Sequence, residues 1–126
     1  MKDVLLDTNF LTLPHIHGLD VFTELARILP ESHSCVVLSG TVAELEGLCS
    51  GASNASIAAR VGLRLIEEKD VRVVKSKGSV DDAIVDYASS HGDVVVATND
   101  RELKKRLREK KVSVISLRGE SNLTIN

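Results

Sequence analysis

Val94-Val95-Val96-Ala97-Thr98-Asn99-Asp100 is a short β-branched run that ends in three polar residues. A run of this kind, closed by turn-forming residues, predicts a buried strand. Four further runs share the pattern and begin at residues 4, 35, 71 and 112. Between the runs, apolar residues recur every three or four positions, which predicts helices. Strands that alternate with helices predict a doubly wound three-layer α/β/α sandwich around a parallel sheet.

The length and composition favour one soluble domain. The chain has 126 residues, and its 43% of hydrophobic residues include only two Phe, one Tyr and no Trp. This aliphatic composition is typical of parallel sheets that are buried on both faces. No apolar run approaches the roughly 18 residues of a membrane span, and acids stand where a signal peptide would be apolar. We therefore expect a cytoplasmic protein that does not contact membranes.

Four acids lie where this fold opens to ligands. Asp7 closes the first strand, and Asp100 follows the fourth. Glu44 and Asp82 stand in the predicted first turns of the helices after the second and third strands. In open parallel α/β sheets, ligands bind beyond the carboxyl ends of the strands, near the point where the strand order reverses. The four carboxylates can therefore share one cleft.

Each acid also has a purely structural interpretation. Glu44 and Asp82 fit capping boxes that begin at Thr41 and Ser79, and Asp100 could cap the following helix. Asp7 could form a local turn with its side chain, although an acid at the end of a buried strand is costly unless it is paired. The prediction of a functional site thus depends on four acids at one edge, and Asp7 and Asp100 are the stronger pair.

The acids indicate a metal site. Clustered carboxylates repel one another unless a cation neutralises them, and a site made only of oxygen ligands favours Mg²⁺ or Mn²⁺. Such a metal can activate water and stabilise a phosphate in phosphodiester hydrolysis. The sequence contains neither a P-loop motif nor a G-x-G-x-x-G turn that would indicate nucleotide binding.

A basic segment follows Asp100 directly. Residues 101–111 carry seven positive charges on one predicted helix, beside the acidic cleft. The candidate contacts to RNA phosphates are Arg101, Lys104, Lys105 and Arg108. The net charge of −2 does not exclude RNA, because without the four candidate ligands 14 acids remain against 16 Lys and Arg. An ordinary solvated helix with cations near its C-terminus remains the alternative.

Four stretches of the sequence, taken in order, resemble the acidic motifs of PIN-domain ribonucleases. They are residues 6–11 with Pro14, then residues 42–46, 80–88 and 96–104. The resemblance is greatest to archaeal stand-alone relatives of the PIN endonuclease that cleaves precursor ribosomal RNA. The toxin branch, whose members an antitoxin inhibits, is the alternative. The resemblance implies a PIN-like domain over residues 1–118 with a five-stranded sheet of order 3-2-1-4-5, Mg²⁺ or Mn²⁺ dependence, an RNA substrate and, frequently, a homodimer.

The resemblance also assigns roles to individual residues. The acids that match the motifs, and would hold the metal, are Asp7, Glu44, Asp82 and Asp100. Asp82 is preferred to Asp81 because it directly precedes the helical Ala83, as the motif acid does. The residues that would orient these ligands or add a further acid are Asn9, Thr98, Asn99 and Glu102. The polar residues 119–126 are expected to extend one edge of the sheet or to fray.

Two other classes of protein share some of these features. A PIN-like scaffold in ribosome assembly would use the basic helix to bind RNA and would not need the acids. A receiver-like domain that accepts a phosphoryl group is also a small doubly wound α/β protein. Against it, the first strand ends in a single Asp, and no lysine closes a strand where one would grip the phosphoryl group.

Overall fold

A six-stranded sheet with helices on both faces forms the molecule in a computed structural model, which describes residues 1–119 and 121–126. The elements, in chain order, are β1 (Lys2–Leu6), α1 (Thr8–Leu11), α2 (Leu13–Ile16), α3 (Val21–Ile28), β2 (His33–Leu38), α4 (Ser39–Leu48), α5 (Asn54–Glu68), β3 (Arg72–Val74), α6 (Val80–Ser90), β4 (Val94–Ala97), α7 (Arg101–Glu109), β5 (Val114–Arg118) and β6 (Asn122–Ile125).

The strand order is β3-β2-β1-β4-β5-β6. The first five strands are parallel, which confirms the predicted doubly wound fold and the order 3-2-1-4-5. The sheet has one strand more than expected, because β6 pairs antiparallel with β5. The sequence left two alternatives for residues 119–126, an edge extension of the sheet or a frayed tail. This segment includes the edge strand β6. Leu123 anchors it, since its side chain is buried in the core.

Alternating side chains of the central strands divide the core into two layers. Val4 and Leu6 of β1 pack on the face covered by α1 to α5, where Phe10 and Leu25 are fully buried. Leu5 lies on the opposite face, against α6 and α7. Period-two alternation in a strand produces this division, because successive side chains point to opposite faces. Both faces of the central strands are therefore buried, as the aliphatic composition predicted.

The strand order places the candidate site. β1 and β4 are neighbours at the point where the order reverses, and Leu6 at the end of β1 is in register with Ala97 at the end of β4. Asp7 and Thr98 follow this pair directly, and Asp100 lies two residues further on. The expected convergence at the switch point is therefore present in the backbone.

Within residues 1–119 and 121–126, no helix is both long enough and apolar enough to span a membrane.

Candidate metal centre

Asp7 is the buried centre of the site. It caps the N-terminus of α1, and only 6% of its surface is exposed. Its Oδ1 accepts a hydrogen bond from the Thr8 backbone N–H at 2.7 Å, and its Oδ2 accepts one from the Thr98 hydroxyl at 2.7 Å. Burial raises the pKa of Asp7, and although these two hydrogen bonds oppose the rise, the nearby charges of Asp81 and Asp100 add to it. Burial and two neighbouring acids therefore outweigh the two hydrogen bonds that stabilise the Asp7 carboxylate.

Thr98 joins Asp7 to Asp100. Its fully buried hydroxyl donates to Asp7 and accepts from the Asp100 backbone N–H at 3.1 Å. Asp100 in turn caps α7, because its Oδ1 accepts from the Leu103 N–H at 2.8 Å. The capping role considered for Asp100 is thus real, and it coexists with a place in the cleft. One hydroxyl fixes the two acids that follow β1 and β4 relative to each other.

Substitution of Thr98 by valine tests this arrangement. The variant removes the donor to Asp7 and leaves the Asp100 N–H without its acceptor. We expect the free energy of unfolding to fall by about 1–3 kcal/mol and the affinity for a divalent metal to fall by about 10–100-fold, as is usual when a group that orients a metal ligand is lost. Urea unfolding and titration with Mn²⁺ measure the two effects.

Thr41 provides a matched control for this variant. It is as buried as Thr98, but its hydroxyl has no hydrogen-bond partner in the structure. Valine at position 41 should therefore leave stability unchanged or raise it. Equal losses in the two variants would show that Thr98 acts only as a buried threonine.

Glu44 reaches the site from α4. This helix begins at Ser39, two residues before the predicted start, so Glu44 is its sixth residue and lies beyond the first turn. The capping-box interpretation is therefore wrong, since Thr41 is inside the helix and does not cap it. The Glu44 Oε1 accepts a hydrogen bond from the Thr8 hydroxyl. Thr8, which the sequence analysis did not single out, thus contacts both Asp7 and Glu44.

At the start of α6, the structure favours Asp81 over the predicted Asp82. Ser79 caps the helix by accepting from the Asp82 N–H at 3.2 Å, which fixes the direction of each side chain in the first turn. The Asp82 side chain is 66% exposed, and its Oδ1 pairs with Nη2 of Arg106 at 2.8 Å. Asp81 is half-buried, and its pKa is raised first by burial and then by the charge of Asp100. The preference for Asp82 is therefore not supported by this geometry.

Four acids line one cavity of about 320 Å³. Its walls are formed by Asp7, Thr8, Asn9, Thr12, Glu44, Leu48, Asp81 and Asp100. Within the described part of the chain, no three His, Cys, Asp or Glu side chains are close enough to enclose a metal as they stand. An open ring of oxygen ligands suits Mg²⁺, which keeps several of its waters. The carboxylate oxygens of the cavity wall, together with the buried Asp7, therefore fit a hydrated divalent cation.

The residues predicted to orient the ligands have different surroundings. Asn9 lines the cavity, and its Oδ1 accepts from the Asn99 N–H at 3.4 Å. The Asn99 side chain accepts from the Leu117 N–H at 2.8 Å and therefore holds the loop to β5. Glu102 is exposed in the first turn of α7 and is absent from the cavity wall. Of these predicted residues, Thr98 is hydrogen-bonded to Asp7 and to the backbone of Asp100, and Asn9 lines the cavity beside them.

The basic helix α7 leads away from the cavity. Arg101 stands in its first turn, directly after Asp100, whereas Arg108 lines a separate cavity with Lys111 and Asn126 at the amino end of β5. Lys104 and Lys105 lie between these two ends. Arg106, which is not among the predicted RNA contacts, extends toward α6 and forms an ion pair with Asp82. Its position three residues after the buried Leu103 could have indicated an inward orientation.

Comparisons with known proteins agree with this architecture. A sequence profile described as PIN like domain matches residues 4–120. Ribonuclease VapC4 of Methanocaldococcus jannaschii is 33% identical over 94% of this chain and 92% of its own length. The rRNA-processing protein fcf1 of Schizosaccharomyces pombe is 32% identical over 84% of this chain, which spans 53% of that longer protein. The solved structure of the PIN domain endonuclease Utp24 is 27% identical, with a TM-score of 0.83 over 98% of this chain and 90% of its own.

A mostly parallel sheet between two layers of helices, with acids at the point where the strand order reverses, defines the class of protein. The chain belongs to the PIN-like domain family, as its four acidic motifs predicted.

Proposed function

We propose that this chain is a metal-dependent endoribonuclease that hydrolyses RNA phosphodiester bonds. The observation that carries the proposal is the cavity lined by Glu44, Asp81, Asp100 and the buried Asp7, whose pKa is raised by burial and by neighbouring acids. Relatives named as ribonucleases and as an rRNA-processing protein support RNA as the substrate. We assign the four acids as ligands of Mg²⁺ or Mn²⁺, with Asp81 in the place first given to Asp82.

The protein side chains supply position and charge. Thr98 and the Thr8 N–H orient Asp7, while the Thr8 hydroxyl orients Glu44 and the first turn of α7 orients Asp100. When bound, the metal would lower the pKa of a water nucleophile and stabilise charge on the phosphate. We assign the attack to water, because a divalent metal held by these acids would activate a bound water.

The RNA backbone is proposed to run from the cavity along α7. Arg101 would contact a phosphate next to the scissile one, and Lys104, Lys105 and Arg108 would contact phosphates progressively further away. Arg101, Lys105 and Arg108 are exposed and Lys104 is half-buried, so such contacts need no rearrangement of the core. Because phosphate contacts release counterions, binding should weaken steeply as the salt concentration rises.

We favour processing of precursor ribosomal RNA as the biological role. The 32% identity to the rRNA-processing protein fcf1, over 84% of this chain, supports this choice. A toxin ribonuclease that is bound by an antitoxin is the alternative, supported by the identity to VapC4. A catalytically silent RNA-binding scaffold is favoured by one observation, namely that no three acids of the described residues enclose a metal as they stand. A cytoplasmic location and a homodimer stay predictions.

Metal binding can be tested without an activity assay. The pKa of Asp7 is raised above its usual value, so the folded state holds that proton more tightly than the unfolded state. The contribution of Asp7 to the stability of the metal-free protein should therefore fall as pH rises above about 4, whereas Asp20 and Glu24, whose pKa values are lowered, contribute the opposite trend. Mg²⁺ or Mn²⁺ at a hundredfold excess over Kd should add about 3 kcal/mol and raise Tm by roughly 10 °C. The rise should be larger at pH 8 than at pH 5.

The same preparation tests the function directly. Cleavage of a mixed-sequence RNA should require Mg²⁺ or Mn²⁺ and stop when EDTA is added. A protein that binds the RNA but cleaves it with neither metal, and whose Tm does not respond to metal, would favour the scaffold. Cleavage in EDTA at the same rate as in Mg²⁺ or Mn²⁺ would contradict the metal-dependent mechanism.

A further inference from the structure

A second cavity, of about 380 Å³, adjoins the acidic one. Thr8, Glu44, Gly47 and Leu48 line it, and three of these residues, Thr8, Glu44 and Leu48, also line the acidic cavity. The two cavities therefore adjoin each other along these shared residues, and a ligand bound in the acidic cavity lies next to the second. The volume lies at the lower end of the range for small-ligand pockets, roughly 300–1,000 Å³.

The wall of the second cavity is apolar where it leaves the acids. Leu48 is the last residue of α4, and 45% of its surface is exposed. Gly47 has no side chain, and a Cβ added there would meet no atom within 4 Å. A single exposed leucine is common on protein surfaces. Leu48 differs because it shares a cavity wall with carboxylates assigned to a metal. We call the apolar wall of Gly47 and Leu48 the Leu48 ledge.

We propose that the Leu48 ledge holds the base of a nucleotide next to the scissile phosphate. The inference depends on the proposed ribonuclease function. The phosphate and ribose of RNA are charged or polar, so the base faces are its large apolar surfaces. A phosphate held at the acids places the neighbouring nucleotide within reach of the ledge, because the cavities share three residues. Contact with Leu48 then removes apolar surface of both partners from water.

The ledge makes two demands on the RNA. A base that lies on Leu48 has left its stack, so that nucleotide is unpaired at the moment of cleavage. The ledge offers an aliphatic side chain and no aromatic ring, so the contact is weaker than stacking and depends little on the identity of the base. The ledge therefore selects for an accessible base and not for a sequence.

An abasic scan of the RNA tests the proposal. The probe is a short fluorescein-labelled oligouridylate, either intact or with one abasic residue at each position in turn. Affinity is measured by fluorescence anisotropy in Ca²⁺, and kcat/KM is measured in Mn²⁺. Leu48→Ala removes the ledge, and Gly47→Leu fills the cavity. The leucine at position 47 should not disturb α4, because its Cβ has open space and Gly is a weak helix former.

We expect one abasic position to weaken wild-type binding by about fivefold, given that less than a full leucine side chain is covered. Leu48→Ala should weaken binding of the intact probe by a similar factor, and the abasic residue should have no further effect in that variant. Gly47→Leu should weaken binding more, by about tenfold. Ile16→Ala is the matched control, because Ile16 is 44% exposed at the end of α2 and lines neither cavity.

Two results would overturn the proposal. One is that Leu48→Ala and Gly47→Leu bind the intact probe as the wild type does. The other is that the abasic residue weakens the wild type and Leu48→Ala by the same factor. Failure of the ribonuclease function is a separate result, seen as wild-type protein that does not cleave in Mg²⁺ or Mn²⁺. Anisotropy still decides the base contact in that case, because it does not require cleavage.

Discussion

Asparagine at position 7 is expected to lower metal-dependent RNA cleavage by about 10³-fold or more, since loss of a metal ligand removes several kcal/mol of transition-state stabilisation. The substitution keeps the shape of the side chain and its acceptor for the Thr8 N–H. It removes the negative charge that we assign to the metal. Cleavage rates across a Mn²⁺ titration measure the loss.

The same substitution should leave the metal-free protein about as stable as the wild type at neutral pH, because the gain from removing a buried charge is opposed by the loss of the Oδ2 acceptor for the Thr98 hydroxyl. Burial and neighbouring acids disfavour the ionised form of Asp7, and this is why its pKa is raised. A neutral amide avoids that cost of burying a charge. Unchanged stability together with lost cleavage would identify Asp7 as a residue retained for function.

Asp93→Asn is the matched control for the change in charge. Asp93 is exposed and pairs with Lys2 at 2.8 Å, at the amino end of β4 and so at the opposite edge of the sheet. Its substitution should leave cleavage unchanged. If Asp7→Asn cleaves RNA at the wild-type rate, the assigned site is contradicted. If Asp93→Asn loses as much cleavage activity as Asp7→Asn, the loss reflects a general effect of charge.

Asp81 and Asp82 should respond very differently to the same substitution. Asp81→Asn removes an acid from the cavity wall, and we expect cleavage to fall by about 10²-fold. Asp82→Asn breaks an exposed ion pair with Arg106, so it should change stability by less than about 1 kcal/mol and cleavage by less than about threefold. Parallel cleavage and urea-unfolding measurements on the two variants separate these effects.

The comparison of these neighbours decides which acid belongs to the site. A large loss in Asp82→Asn with little change in Asp81→Asn would reverse the assignment made from the structure. It would also restore the assignment made from the motif. Because the two variants differ by one position and carry the same change in charge, a difference between them reflects the different surroundings of the two side chains, one on the cavity wall and one paired with Arg106.

The parallel βαβ units and the two central acids could be predicted from the residue pattern, whereas the strand order 3-2-1-4-5 was implied only by the resemblance to PIN domains. Short β-branched runs that alternate with helical periodicity specify parallel βαβ units, and these units place the carboxyl ends of the strands at one edge. Asp7 and Asp100 follow two such runs, and they converge because the observed order makes β1 and β4 neighbours. The family predicted from the four motifs is confirmed by the matching profile and relatives.

The contacts between elements could not be predicted in this way. The hydrogen bond between Thr8 and Glu44 joins residues 36 positions apart, and the hydrogen bond between Thr98 and Asp7 joins residues 91 positions apart. The pairing of β6 with β5 is likewise absent from the local pattern, because residues 119–126 are mostly polar and, among those of them that the structure describes, only Leu123 reaches the core. Such contacts depend on how the helices and strands pack.

The sequence by itself determined that four stretches bearing acids lie at one edge of a doubly wound sheet. Only the tertiary structure decided which acid of the pair at 81 and 82 faces the cavity. Each residue of a helix turns its side chain by about 100°, so a shift of one position in the cap moves an acid from the cleft to the surface. Here Ser79 sets that position, and Arg106 on α7 pairs with the acid that turns away.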